Sequence, residues 1–147
     1  MRRLNKITRN LLTLGPIGYL KAPGTMATLC TLPFVYLFDL TGPLPYTIIT
    51  IILASIAFIL ITLANKCVEH DPCEVVIDEF IGCLFTFIAI KINLKTIFLG
   101  FILFRLFDIT KPLGIKKIEK LNGASGILFD DIAAGILSNV LLQIFIC

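Results

Sequence analysis

Apolar residues fill five stretches of this chain, and the charges that interrupt them gather at stretch ends instead of forming a polar stripe. Tyr46 to Ala64 is nineteen residues without a charge. As a helix it spans about 28 Å, close to the hydrocarbon thickness of a bilayer. Thr25 to Phe38 is also uncharged, but it is fourteen residues long and contains Pro33, so it reads as a kinked span or a half-inserted segment. Three later stretches carry acids: Asp78 and Glu79 in Val75 to Ile92, Asp108 beside Arg105 in Thr96 to Ile109, and Asp130 and Asp131 in Ile127 to Cys147. The pattern predicts an all-α fold, a small polytopic membrane bundle of about four to five membrane helices, in a single domain over residues 1–147.

Threading the stretches back and forth puts every intramembrane charge on one side. That side holds eleven of the thirteen basic residues, and Lys91 and Lys95 stay on the other. By the excess of basic residues in cytoplasmic loops, the charged face is cytoplasmic. Composition agrees: 57% of residues are apolar and 16% charged, which excludes disorder, coiled coil and a secreted disulfide scaffold and argues against an ordinary soluble enzyme. A net charge of +3 with no basic run among aromatics gives no reason to expect a nucleic-acid partner. Five cysteines, mostly inside apolar stretches, imply no disulfide framework. Met1 to Leu14, with Arg2, Arg3, Lys6 and Arg9, reads as an amphipathic segment at the membrane surface, not a signal peptide. The long connection from Lys111 to Gly126 ends in Asn122-Gly123-Ala124-Ser125-Gly126 just before the last helix.

Ionisable groups inside a membrane are costly unless they are paired, hydrated or bound to metal. Five carboxylates from three helices, Asp78, Glu79, Asp108, Asp130 and Asp131, would repel one another; Arg105 and Lys111 offset two charges, and a hard divalent cation would offset more. Magnesium takes oxygen ligands and commonly shares them with a substrate phosphate, so magnesium and a phosphorylated substrate are expected. Asp78 and Gly82 are four apart, as are Asp131 and Gly135, so each acid has a glycine on its own face that lets helices approach. The competing reading is that the glycines only pack helices and the acids only form salt bridges. Lys21-Ala22-Pro23-Gly24-Thr25 opens the first apolar helix, with Thr25 as its expected cap. The N–H groups beyond make Lys21 and Thr25 candidates for an anion site, but Pro-Gly-Thr is common turn chemistry, and taken alone it favours a cap with no ligand. His70, the only histidine, reads as an interfacial polar residue, and Cys67, His70 and Cys73 do not complete a zinc site. A serine triad and a phosphate-binding GxxxxGK[ST] loop are both absent.

Four ordered blocks resemble the phosphatidylglycerophosphatase A family. They are Lys21 to Met26, Val76 to Gly82 (VIDEFIG), Phe104 to Pro112 (FRLFDITKP) and Gly126 to Gly135 (GILFDDIAAG). The resemblance implies a magnesium-dependent phosphatase of the bacterial inner membrane that acts on a phospholipid substrate. It would hydrolyse phosphatidylglycerophosphate to phosphatidylglycerol and phosphate. Two positions depart from the family pattern: Leu113-Gly114-Ile115 lacks the second proline expected after the third block, and Ala124-Ser125 is less glycine-rich than usual. The combined reading makes Asp78, Glu79, Asp130 and Asp131 magnesium ligands or catalytic carboxylates, and Arg105 and Lys111 phosphate clamps. Asp108 either binds the metal or orients Arg105. Water made more acidic by magnesium and an aspartyl-phosphate intermediate are equally compatible nucleophilic routes. A small ion or metal carrier is the main alternative, though it should place acids along a path through the bilayer, and the far half has none.

Overall fold

A computed structural model describes residues 5–65 and 75–146. Arg2, Arg3, Lys66, Cys67, His70 and Cys73 lie outside the described residues. The described residues form seven α-helices and one short 3-10 turn, with no strand among them. In chain order the helices are α1 (Lys6–Leu12), α2 (Pro23–Asp39), α3 (Pro43–Asn65), α4 (Ile77–Thr86), α5 (Leu94–Thr110), α6 (Ile115–Glu119) and α7 (Ala124–Ile146). The 3-10 turn, Ile17–Tyr19, lies between α1 and α2.

Two helices are long and apolar enough to cross a membrane, Pro43–Ala64 and Ala124–Phe145, each 22 residues. Ile48, Ile51, Ile52, Ile56, Ile59 and Leu63 of α3 are all exposed. Water would penalise such a surface, whereas lipid would not. These two helices suit a membrane-associated protein.

Helix α4 sits at the centre, packed by α2, α3, α5 and α7. Most of its residues are buried, including Ile81, Gly82, Cys83 and Leu84. It is only ten residues long. At 1.5 Å per residue it covers about 15 Å, half of a bilayer core. The stretch Val75 to Ile92 is therefore not one continuous span, as its hydropathy suggests. Beyond Thr86 the backbone turns, with Ala89 in the left-handed region at φ 57°. Carbonyls freed there need partners in an apolar setting. Asn139 of α7 supplies them, its Nδ2 donating to Thr86 O at 3.0 Å and Ile88 O at 2.8 Å. Gln143 Nε2 donates to Asn139 Oδ1 at 2.9 Å and fixes the amide's orientation. On the other flank, the buried Tyr46 hydroxyl donates to Leu84 O at 2.9 Å.

Glycines set the tightest crossing. A Cβ on Gly135 would run into the Gly82 carbonyl oxygen, and one on Gly82 would lie 2.6 Å from Asp131 O and 2.7 Å from the Phe104 ring. Helices α4 and α7 thus meet backbone to backbone, as the spacing of acids and glycines predicts.

Three boundaries differ from the sequence expectation. Helix α2 is capped by Ala22, at φ 55°, with no side-chain cap; Thr25 is its third residue, not its cap. The cause is Pro23, whose fixed φ suits the first helical position and starts the helix earlier. Helix α7 begins at Ala124, so Ala124, Ser125 and Gly126 belong to the helix and not to the loop. The connection from Lys111 also contains α6, entered through Gly114 at φ 90°. Proline cannot adopt that angle, so the loop after the third block takes a path here that its proline-containing form would not permit.

Candidate active site

The N-termini of α2, α4 and α7 and the C-terminus of α5 converge at one end of the bundle, and the charged residues lie there. Asp78 and Glu79 occupy the first turn of α4, where the helix dipole favours negative charge. Asp131 faces them from α7. One carboxylate oxygen from each of Asp78, Glu79 and Asp131 lies within 4.8 Å of the others. Asp78 Oδ1 and Glu79 Oε2 are buried without a hydrogen-bond partner. Buried carboxylate oxygens normally find a donor or a cation, so this trio fits a hard divalent ion with oxygen ligands.

The other two predicted acids are engaged elsewhere. Asp108 pairs with Arg105, one turn back on α5, with Asp108 Oδ2 2.5 Å from Arg105 Nη1. Asp108 still neighbours Asp131 and Glu79, so the pair borders the trio. Asp130 is 4% exposed and accepts an ion-paired hydrogen bond from Lys111 Nζ. Its other oxygen accepts the Asp131 backbone N–H at 3.0 Å. Asp130 is thus held by Lys111, while Asp131 turns to the trio. Lys111 also pairs with Glu119 of α6 at 2.9 Å. Burial lowers the Lys111 pKa, but the hydrogen bonds its ammonium donates to Asp130 and Glu119 outweigh it and raise the value overall, which keeps the ammonium charged throughout the physiological range.

The first sequence block joins the same site. A Cβ on Gly24 would collide with Glu79 Oε1 and lie 3.1 Å from Arg105 Nη1. Only glycine lets the α2 N-terminus approach so closely. The α2 N-terminus, with its unpaired N–H groups, thereby adjoins Glu79 and Arg105. Lys21 is exposed and Thr25 half-buried at this end. The sequence reading missed Glu119, the only acid between Lys111 and Asp130 in a loop of lysines, and gave no role to Gly24. Glu119 was legible only as a charge of opposite sign among Lys116, Lys117 and Lys120.

Residues 10–146 match the family described as Phosphatidylglycerophosphatase A. The chain belongs to the phosphatidylglycerophosphatase A family. That family is one of phosphoric monoester hydrolases, and all four blocks fall inside the matched region. A Bacteroides thetaiotaomicron protein, provisionally named phosphatidylinositol-3-phosphatase, is 35% identical over 133 residues, covering 84% of this chain and 82% of that protein. Phosphatidylglycerophosphatase A of Escherichia coli is 34% identical over 122 residues, 79% of this chain and 69% of the relative. The Haemophilus influenzae protein of the same name is 36% identical over 126 residues, 82% and 77% respectively. No solved structure matches this chain.

Proposed function

We propose that this protein is a magnesium-dependent lipid phosphatase that hydrolyses phosphatidylglycerophosphate to phosphatidylglycerol and inorganic phosphate. Its site would open on the cytoplasmic face of a bacterial inner membrane. The observation that carries this reading is the convergence of Asp78, Glu79 and Asp131, two of them with orphaned buried oxygens, beside Arg105 and the α2 N-terminus. Eleven of thirteen basic residues on the same side of the threaded chain support the cytoplasmic orientation.

Asp78, Glu79 and Asp131 would hold the cation, which when bound supplies positive charge to the phosphoryl oxygens and makes water a stronger acid at that position. Arg105 would grip two phosphate oxygens with its planar fork, held in aim by Asp108. The N–H groups of Gly24 and Thr25 would complete the anion site, and Lys21 would add charge at its mouth. Lys111, fixed by Asp130 and Glu119, would hold positive potential at the site's edge. With Asp130 engaged by Lys111, it serves that lysine more directly than the metal. Oxygen-only ligation and the need to bind phosphate favour magnesium over softer metals.

The printed name of the Bacteroides relative motivates a second substrate reading, a phosphoinositide phosphate. Phosphate release should be measured from phosphatidylglycerophosphate, phosphatidylinositol 3-phosphate and phosphatidic acid, each with magnesium and with excess EDTA. The proposal expects fastest release from phosphatidylglycerophosphate, abolished by the chelator. A preference for the inositol lipid would replace the substrate, and undiminished release in EDTA would remove the metal.

A further inference from the structure

Beside the carboxylate cluster, an apolar groove of about 350 Å³ runs between α1, the 3-10 turn and the middle of α2. We propose that it holds an acyl chain of the lipid whose phosphate is bound at the carboxylate cluster, an inference that rests on the lipid-phosphatase reading above.

The volume lies in the range of ligand pockets, roughly 300 to 1,000 Å³. Leu11, Leu14 and Ile17 form one wall, and Cys30 and Phe34 of α2 the other, with Phe80 of α4 between them. Asn10 is the only polar side chain in the lining. Phe34 and Phe80 meet edge to face, with ring centres 5.5 Å apart, which closes the inner side. Leu11 and Phe34 are 48% and 45% exposed, so the groove is open toward the outside of the bundle, where lipid lies.

Two links tie this groove to the phosphate site and separate it from ordinary lipid-facing surface. Phe80 directly follows Glu79, so the end of the groove and the carboxylate trio share one turn of α4. Helix α2 begins at the site, where Gly24 touches Glu79 and Arg105, and descends to Cys30 and Phe34. At 1.5 Å per residue these lie about 9 and 15 Å down the helix axis. A phosphate bound at Arg105 would therefore lie at the end of α2 from which the groove wall descends.

The wall is also built with effort. Leu14 sits in the left-handed region at φ 48°, an uncommon conformation for a leucine. Thr13 holds the turn, its hydroxyl placed 3.0 Å from Arg9 O and 2.9 Å from Gly15 O, and Gly18 N donates to Thr13 O at 2.9 Å. The chain thereby doubles back and brings Leu14 and Ile17 against α2. Strain of this kind persists where the surroundings over-determine it, often at ligand sites.

Photolabelling with a diazirine midway along one acyl chain tests the proposal, using phosphatidic acid and phosphatidylcholine that carry the same label. The expected result is labelling of Leu11, Cys30 and Phe34 by the phosphatidic acid probe at least tenfold above the phosphatidylcholine probe, suppressed by unlabelled phosphatidylglycerophosphate. Ile51 and Ile52 of α3 should label equally with both. Equal labelling of the groove by both probes would overturn the proposal, because the groove would then hold bulk lipid. In parallel, Cys30→Trp should raise KM at least tenfold for a long-chain lipid phosphate and leave a dibutyryl analogue unchanged. Equal loss on both substrates would count against the groove. If Cys30→Trp fails to insert, the smaller Cys30→Leu takes its place. Absence of hydrolysis by the wild-type protein would contradict the phosphatase reading, and the labelling contrast would still decide the groove.

Discussion

Asp78 and Glu79 each keep a buried oxygen without a partner and Asp131 converges on them, whereas Asp108 and Asp130 are each bound to a cation of the chain. This division assigns separate work to five acids that look alike in the sequence. Arg105 is the residue on which phosphate binding and simple charge balance diverge. Lysine retains the charge but loses the planar two-pronged donor. Arg105→Lys should lower turnover by roughly 10² to 10³-fold, the usual effect of removing one well-placed donor, with near-normal amounts of inserted protein. Arg105→Ala should also reduce the amount of folded protein, because Asp108 would be left unpaired. Phosphate release per inserted molecule checks both, and a fully active Arg105→Lys protein would remove the clamp.

The crossing of α4 and α7 converts glycine spacing into carboxylate proximity. Gly135→Ala would drive a methyl group into the Gly82 carbonyl, and overpacking typically costs about 1 to 3 kcal/mol. A lowered unfolding midpoint together with reduced turnover is expected, since Asp131 would be pushed away from Asp78. Unchanged stability and turnover would show that the helices are not in backbone contact. Asn139→Leu should lower stability by about 1 to 3 kcal/mol by leaving the Thr86 and Ile88 carbonyls unpaired. An unaffected midpoint would mean that those carbonyls have other partners. The glycine crossing was legible because a four-residue spacing is a property of one helix. The shortness of α4 was not, because Phe87 to Ile90 remains apolar and hydropathy cannot distinguish a helix from buried irregular backbone. Asn139 and Gln143, side-chain amides in the largely apolar C-terminal half of α7, carried the hint of it. The Thr25 cap was misplaced by two boundary signals in competition, and Pro23 won.

Across the whole molecule, α2 and α7 start at the charged end and α3 and α5 finish there, so the site has one face. Chain threading made this arrangement legible, because charges at stretch ends alternate in step with the turns. What threading could not show was which acids meet, since that depends on side-chain direction and helix rotation. Cysteines introduced between positions 116 and 120 should react from the cytoplasmic side, and those between 91 and 95 from the opposite side, in a background without native cysteines. Labelling of both segments from one side would contradict a single-faced site. The most direct measurement is phosphate release from phosphatidylglycerophosphate across a magnesium titration, comparing wild type with Asp131→Asn at matched amounts of inserted protein. Loss of one of three oxygen ligands should lower turnover by about 100-fold or more and shift half-saturation to higher magnesium. Near-normal turnover with an unchanged magnesium requirement would contradict the assignment of the cation and the chemistry to Asp78, Glu79 and Asp131.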